Sequence, residues 1–184
     1  IECEAASSIS SLSAFLPETS FSLMEKAFGH TFPITEDDFS LALGMIINAD
    51  QMTNGMDLLY AAEMTPELYD RIQRILCTGQ AFTFSELAQN LKTKNMTRAR
   101  INRALLHCLL SISQDDMELF RASGFCSYAR ILGFKSNASS LLKAVKSNAK
   151  IPVITKLADA KNKLDETGNK ILFHELASSF LYRQ

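Results

Sequence analysis

Much of the familiar equipment of an enzyme is missing from these 184 residues. There is no GxxxxGK[ST] phosphate loop, no GxGxxG and no GxSxG, which sets aside the usual nucleotide cradles and serine nucleophiles. No apolar run approaches the roughly 18–20 residues that cross a bilayer, so no membrane is expected. The start shows no basic stretch followed by an apolar core, as a secretory signal would. Four cysteines (Cys3, Cys77, Cys108, Cys126) stand far apart with no CxxC. That spacing argues against a disulfide framework or a zinc site and for a reducing, cytoplasmic setting. Cys77 and Cys108 fall in apolar helical patterns and are expected as core thiols. Histidine is scarce too. His30 follows Gly29 in a loop, His107 sits beside the apolar face of a helix, and His174 lacks HExxH spacing. None reads as a base or a metal ligand, and no catalytic, cofactor-binding or metal site is expected in the chain.

Net charge is also nearly absent: 19 Lys+Arg against 20 Asp+Glu leave −1. The total hides a division. Residues 1–90 lack bases, with 3 against 13 acids, a net −10. Residues 91–150 lack acids, with 3 against 11 bases, a net +8, and 151–184 carry 5 bases and 4 acids, a net +1. An asymmetry of this kind points to an anionic partner. With 47% hydrophobic and 21% charged residues the composition is that of a folded chain and not of a disordered one. The sequence opens on Ile1 without an initiator methionine, and the expectation is a piece of a longer protein.

What is present is mostly helical signal. A weakly amphipathic, Ser-rich stretch occupies 1–14, before Pro17. Thr19 or Ser20 is expected to cap a helix closed by Gly29. Thr35 with Asp38 forms a capping-box variant that opens a helix through Phe39, Leu43 and Ile47. Gly55 marks a break, and a short helix is expected over 57–63. Thr65-Pro66-Glu67 is a strong start for a helix ended by Gly79. Thr83-Phe84-Ser85-Glu86 is a capping box for a helix to about Leu91. Thr97 caps the next, with Ile101, Ala104, Leu105 and Cys108 on one face. Beyond Gly124 the pattern alternates: a strand-like run over 128–134, a helix over 137–148 with Leu141, Leu142 and Val145 inward, and a β-branched run over 151–155. That succession is a compact βαβ-like unit. A helix from about Thr155 and another near 173–181 close the chain.

The sharpest chemical feature is the run 92–103. It contains Lys92, Lys94, Arg98, Arg100 and Arg103 and no acid. The arginines fall in the first turns of the helix that Thr97 caps, where the macrodipole favours acids. Cations at that end make sense opposite an anion, and phosphate is the usual one. The bland alternative is a solvated basic face. The βαβ-like stretch adds Arg130, Lys135, Lys143, Lys146 and Lys150, with Phe134-Lys135 just before a helix start.

Two stretches, LKTKNMTRARINRALLHCLLSI and YARILGFKSNASSLLKAVKSNAKIPVITK, resemble the C-terminal region of the bacterial tRNA(Met) cytidine acetate ligases, a family of HIGH-type nucleotidyltransferase-like proteins. FLPETSFSLMEK and DFSLALGMII are similar to the linker and helical region of that family. The resemblance implies a two-part enzyme, whose N-terminal domain carries an HxGH-type motif and forms acetyl-adenylate from ATP and acetate for transfer to the wobble cytidine of elongator tRNA(Met). Neither HxGH nor a Ser-x-Thr-x-Ile-Arg motif occurs here, so no cofactor is expected in this piece. ATP and acetate are implied only through the missing domain. The tRNA contacts it implies are Lys92, Lys94, Thr97, Arg98, Arg100 and Arg103, then Arg130, Gly133, Phe134 and Lys135.

The expected architecture is mainly α with a small α+β part: a helical bundle with a helix-turn-helix-like segment and a short βαβ-like unit. A helical connector is expected over 1–64 and the basic region over 65–184. The expected function is a tRNA-binding module of an ATP-dependent ligase, without catalytic residues of its own. The alternatives are a helix-turn-helix DNA-binding regulator, or a structural, protein-interaction domain whose acidic part docks on its basic part.

Overall fold

The structure is a computed structural model that describes residues 9–31, 33–53, 57–79 and 82–183. Cys3 and Gly55 lie outside them, as does most of the stretch 1–14. A 3-10 turn at Ser10–Ala14 precedes α1 (Glu18–Ala27). Thr19 and Ser20, expected as caps, sit inside its first turn. Pro17 is the N-cap instead, since its fixed φ leads directly into the helix. Gly29 follows at φ +77°, the left-handed conformation that lets the chain leave a helix.

The Thr35 box forms as expected. The Asp38 carboxylate accepts from the Thr35 N–H at 2.6 Å and from its hydroxyl at 3.1 Å. It opens a 3-10 turn, Glu36–Phe39, that runs into α2 (Ser40–Met52). The short helix expected over 57–63 is a single 3-10 turn, Asp57–Tyr60. Three helices then follow closely. These are α3 (Pro66–Leu76), capped by Thr65; α4 (Phe84–Leu91), capped by the Thr83/Glu86 box; and α5 (Arg98–Leu109), capped by Thr97. Between Leu109 and Gly124 lies a helix that the expectations above lack, α6 (Gln114–Ala122). Its signal was Ser113 with Asp116 three residues on, a capping box with Asp in place of Glu.

The core of the first part is one cluster. Leu43 and Ile47 of α2, Leu68 and Ile72 of α3, Phe84, Leu87 and Leu91 of α4, and Ile101, Ala104, Leu105 and Cys108 of α5 are all buried in it. It draws on residues either side of position 64. Burial pushes the Cys108 thiol up to about 12, with the charge of Asp50 adding to it. Cys77, expected as a second core thiol, is exposed at the end of α3. The α3 helix has already closed at Leu76, so its apolar face ends one residue before the cysteine.

A polar node ties three elements of this core. The buried carboxylate of Asp50 accepts from the Leu58 N–H and the Tyr69 hydroxyl, both at 3.0 Å. The low-dielectric site and the nearby carboxylate together raise the Tyr69 pKa.

The βαβ expectation is met in reduced form. β1 (Ala129–Arg130) pairs in parallel with β2 (Val153–Ile154), and α7 (Ser139–Asn148) crosses between them. The Ile131 N–H extends the ladder by donating to Ile154 O at 2.9 Å. Of the three residues expected inward on α7, Leu142 is half-buried, while Leu141 and Val145 are exposed and no residue of the helix is fully buried. The second core is instead Ile154, Ala160, Leu164 and Leu172, with Tyr128 against it. The chain closes with α8 (Ala160–Lys163) and α9 (Glu166–Leu181), which begins about two turns earlier than expected because Asp165 caps it.

The last helix is fastened to the first part through Asp116. That buried carboxylate pairs with Lys170 and accepts from the Ser113 N–H at 3.0 Å, and His174 Nε2 stands 3.8 Å away. Burial pushes the Asp116 pKa up, but Lys170 and the Ser113 hydrogen bonds outweigh it, and the net direction is down.

Three expectations follow from this packing. Phe84→Ala should lower the free energy of unfolding by about 3–5 kcal/mol in urea titrations, and Thr83→Ala by about 1 kcal/mol. Because Asp116 is ionised below the ordinary carboxylate value of 3.8 in the folded chain, its contribution is complete above that value. It is lost as pH falls through the lowered folded value. Asp116→Asn should therefore flatten the acid limb of a stability–pH curve, which thermal denaturation across pH 2–6 would read.

Candidate nucleic-acid interface

The basic run 92–103 begins as a tight turn. The Thr93 N–H donates to Met96 O at 3.2 Å and the Met96 N–H returns to Thr93 O at 3.3 Å. Met96 is buried in the helical core, which pins the turn and leaves Lys92 and Lys94 exposed. The Thr97 hydroxyl accepts from the Arg100 N–H at 3.4 Å and starts α5. Thr97 is thus occupied as a cap. Ile101 and Leu105 face the core, which turns Arg98, Arg100 and Arg103 outward, as the spacing predicts.

Outward does not mean unpartnered. Arg98 pairs with Glu36 at 2.7 Å. Arg103 grips Glu63 with two nitrogens, Nε at 3.1 Å and Nη2 at 3.0 Å. Both glutamates come from the acid-rich part, where the sequence assigns acids mostly to caps and surface. No local pattern reveals them, since the partners lie 62 and 40 residues away. Glu63 makes its contact from a left-handed backbone, φ +62°, which costs a side chain with a Cβ about 1 kcal/mol or more. The hydrogen bonds and charge of Glu63 hold the Arg103 guanidinium above its ordinary pKa.

Glu36 belongs to a wider clamp. Its neighbour Asp37 accepts from the Ser85 N–H at 2.7 Å and the Ser85 hydroxyl at 2.8 Å, and Ser40 accepts from the Phe84 N–H at 2.9 Å. The first N–H groups of α4 are therefore capped from a segment more than forty residues upstream. The Ser85 backbone N–H, and then its hydroxyl, hold the Asp37 carboxyl below its ordinary value.

In the second patch, Arg130 pairs with Glu175 at 2.7 Å, and the Tyr128 hydroxyl donates to the same carboxylate. Arg130 Nε is buried without a hydrogen-bond partner. Lys146 Nζ donates to the Thr155 hydroxyl at 2.9 Å. Among the described residues, Lys92, Lys94, Arg100, Lys135, Lys143 and Lys150 form no ion pair. The ten positions thus divide. Arg98, Arg103 and Arg130 are held by carboxylates, Thr97 is a cap, and Lys92, Lys94, Arg100 and Lys135 carry exposed, unpaired charge. Gly133 and Phe134 lie between Arg130 and Lys135 on an exposed segment.

Nothing in the site resembles a catalytic arrangement. His107 Nδ1 lies 3.1 Å from Ala62 O and His174 Nδ1 3.2 Å from Leu110 O, so both histidines are satisfied by backbone. No group of three or more metal-ligating side chains occurs among the described residues. No helix among them is long and apolar enough to cross a membrane. What the surface offers is charge and hydrogen-bond donors, which is the chemistry of anion binding.

A helical chain with a small parallel βαβ unit and a basic face is the class that the geometry defines. By sequence it matches the HIGH Nucleotidyl Transferase family over residues 2–184, and it belongs to that family. It is 27% identical over 172 residues to a tRNA(Met) cytidine acetate ligase of Acetivibrio thermocellus, covering 93% of this chain and 40% of that protein. It is 30% identical over 148 residues to the enzyme of that name in Clostridium perfringens (strain ATCC 13124), covering 80% of this chain and 34% of the relative. The chain therefore spans about two-fifths of the length of the curated relatives it matches. In fold it is similar to Thermotoga maritima TmcAL, crystallised with alpha-thio ATP, with a TM-score of 0.75 and 19% identity over 91% of this chain. The same protein in its apo form gives 0.74.

The ion pairs predict that Arg98→Glu combined with Arg103→Glu will lower the melting temperature. Each change sets two carboxylates face to face, one new glutamate against Glu36 and the other against Glu63. Adding Glu36→Arg and Glu63→Arg should recover most of the loss, which differential scanning calorimetry would measure.

Proposed function

We propose that this chain is the tRNA-holding part of an ATP-dependent ligase that acetylates the wobble cytidine of elongator tRNA(Met). It corresponds to the C-terminal portion of such an enzyme and works in the cytoplasm. The observation that carries the reading is the exposed charge, free of ion pairs, of Lys92, Lys94, Arg100 and Lys135, positions that the family resemblance implies, in a chain with no catalytic arrangement among its described residues. ATP and acetate enter through a domain outside this chain, so no cofactor binds here. The relatives' name supports the choice of tRNA as the anion. Phosphate contacts from these cations position the tRNA, and the chemistry on the cytidine falls to the other domain. In this reading 1–64 acts as the connector toward that domain, and 65–184 as the RNA-facing region.

One observation favours a second reading in part. Glu36 and Glu63 neutralise Arg98 and Arg103 from the acidic side, as a domain docked on itself would. Those two arginines then serve architecture first, and the weight of the interface moves to the unpaired lysines and Arg100. A DNA regulator would need base-reading side chains on the exposed face of α5. That face offers Arg100 and the carboxylate-bound Arg103, while Asn102 is half-buried.

Binding of bacterial tRNA by this chain, titrated from low to physiological salt, tests the proposal. The affinity should fall with log[salt] by roughly 0.7–0.9 per phosphate contacted. Removing Lys92, Lys94 and Arg100 together should reduce the slope by about three contacts. A slope near zero, or no binding at low salt, would sink the reading, and tighter binding to duplex DNA than to tRNA would favour the regulator.

A further inference from the structure

The βαβ unit is charged in one sense only. Residues 129–156 hold six bases (Arg130, Lys135, Lys143, Lys146, Lys150 and Lys156) and no acid. Within the same stretch large apolar side chains stand in solvent. Leu132 is 84% exposed, Phe134 56%, Leu141 65% and Val145 41%. The second core, beneath the sheet, takes none of them. Each costs free energy in water, and their exposure together on one small unit marks a surface that meets something.

The surroundings select what that is. Leu132 and Phe134 are two apart on the segment that leaves β1 and carry their side chains into open solvent. A Cβ built on Gly133, between them, meets no atom within 4 Å, so space lies over the backbone there. Lys135 is next in sequence, exposed and unpaired. Lys143 and Lys146 follow at an i, i+3 spacing on α7. A protein partner matched to this face would need to bring an apolar surface ringed by carboxylates. An unpaired nucleotide brings both features in one residue, a flat base and a phosphate. Aromatic rings interleaved with lysines are the usual means of holding single-stranded nucleic acid.

We infer that Phe134 is a stacking platform for an unpaired base of RNA, with Lys135 and Lys143 holding the flanking phosphates. The inference rests on the tRNA-binding reading and adds to it a contact that charge alone does not provide. Leu132 extends the platform along the strand direction. The RNA segment it takes is a loop or a single-stranded end, because bases inside an A-form duplex present no free face.

The chain contains no tryptophan, so one placed at 134 reports on that position alone. The test compares Phe134→Ala and Phe134→Trp with the unaltered chain, using bacterial tRNA, a short oligoadenylate, and heparin as a polyanion without bases. Phe134→Ala should weaken tRNA and oligoadenylate about tenfold while leaving heparin affinity and the salt slope unchanged. Phe134→Trp should retain affinity, and oligoadenylate should quench its fluorescence. Lys135→Gln should instead lower the salt slope by about one. Unchanged tRNA affinity for Phe134→Ala, with an unquenched tryptophan in Phe134→Trp, would overturn the platform and leave the tRNA reading standing. Failure of the unaltered chain to bind any RNA at low salt would overturn both. A Phe134→Ala effect confined to self-association in sedimentation would assign the face to protein contact and overturn the inference.

Discussion

Two N–H groups at the start of α4 hold much of this structure in place. A helix begins with donors that have no partner inside it, and burying such donors unpaired is costly. Here Ser40 and Asp37 accept from Phe84 and Ser85, while Thr83 and Glu86 complete the local box. The upstream segment is thereby fixed against α4. The entry to α2 is set, Leu43 and Ile47 reach the core, and Glu36 arrives beside Arg98. The position of α5, and so the outward aim of its cations, depends on the same few hydrogen bonds.

The second organising contact is electrostatic and sits between α6 and α9. Asp116 is buried, yet stays ionised because Lys170 and the Ser113 donors outweigh the cost of burial. One carboxylate therefore serves twice, as the N3 residue of a capping box and as the anchor for the last helix. The βαβ unit hangs between these anchored regions. Its sheet is two residues deep on each side and no residue of its crossover helix is fully buried. The sheet is held from beneath, by Ile154 and Tyr128 in the second core and by Arg130 on Glu175, and the outer surface of α7 is left to other uses.

Helix starts were the most legible part of the sequence. Thr65, Thr83 and Thr97 each cap the helix that the spacing assigned to them, because a cap is a local event within four residues. The α5 core face was equally legible from its period. Less local facts were not. Cys77, Leu141 and Val145 have the right pattern for burial, but whether a face is covered depends on neighbours distant in sequence. The carboxylates that hold Arg98, Arg103 and Arg130 were invisible for the same reason. The acidic and basic parts looked like separate regions, and in space they meet at Glu36 and Glu63.

Those three carboxylates change what binding an anion means at their sites. A nucleic-acid phosphate carries condensed cations, and a free arginine that neutralises it releases them into the bulk with a gain of entropy. Glu36, Glu63 and Glu175 are counterions that cannot disperse, because the backbone tethers them. A phosphate reaching Arg98, Arg103 or Arg130 displaces a tethered carboxylate, whose negative charge stays beside the phosphate and keeps a cation there, so little is released. Recognition at those three positions is then an exchange of one fixed anion for another, decided by geometry and largely indifferent to ionic strength.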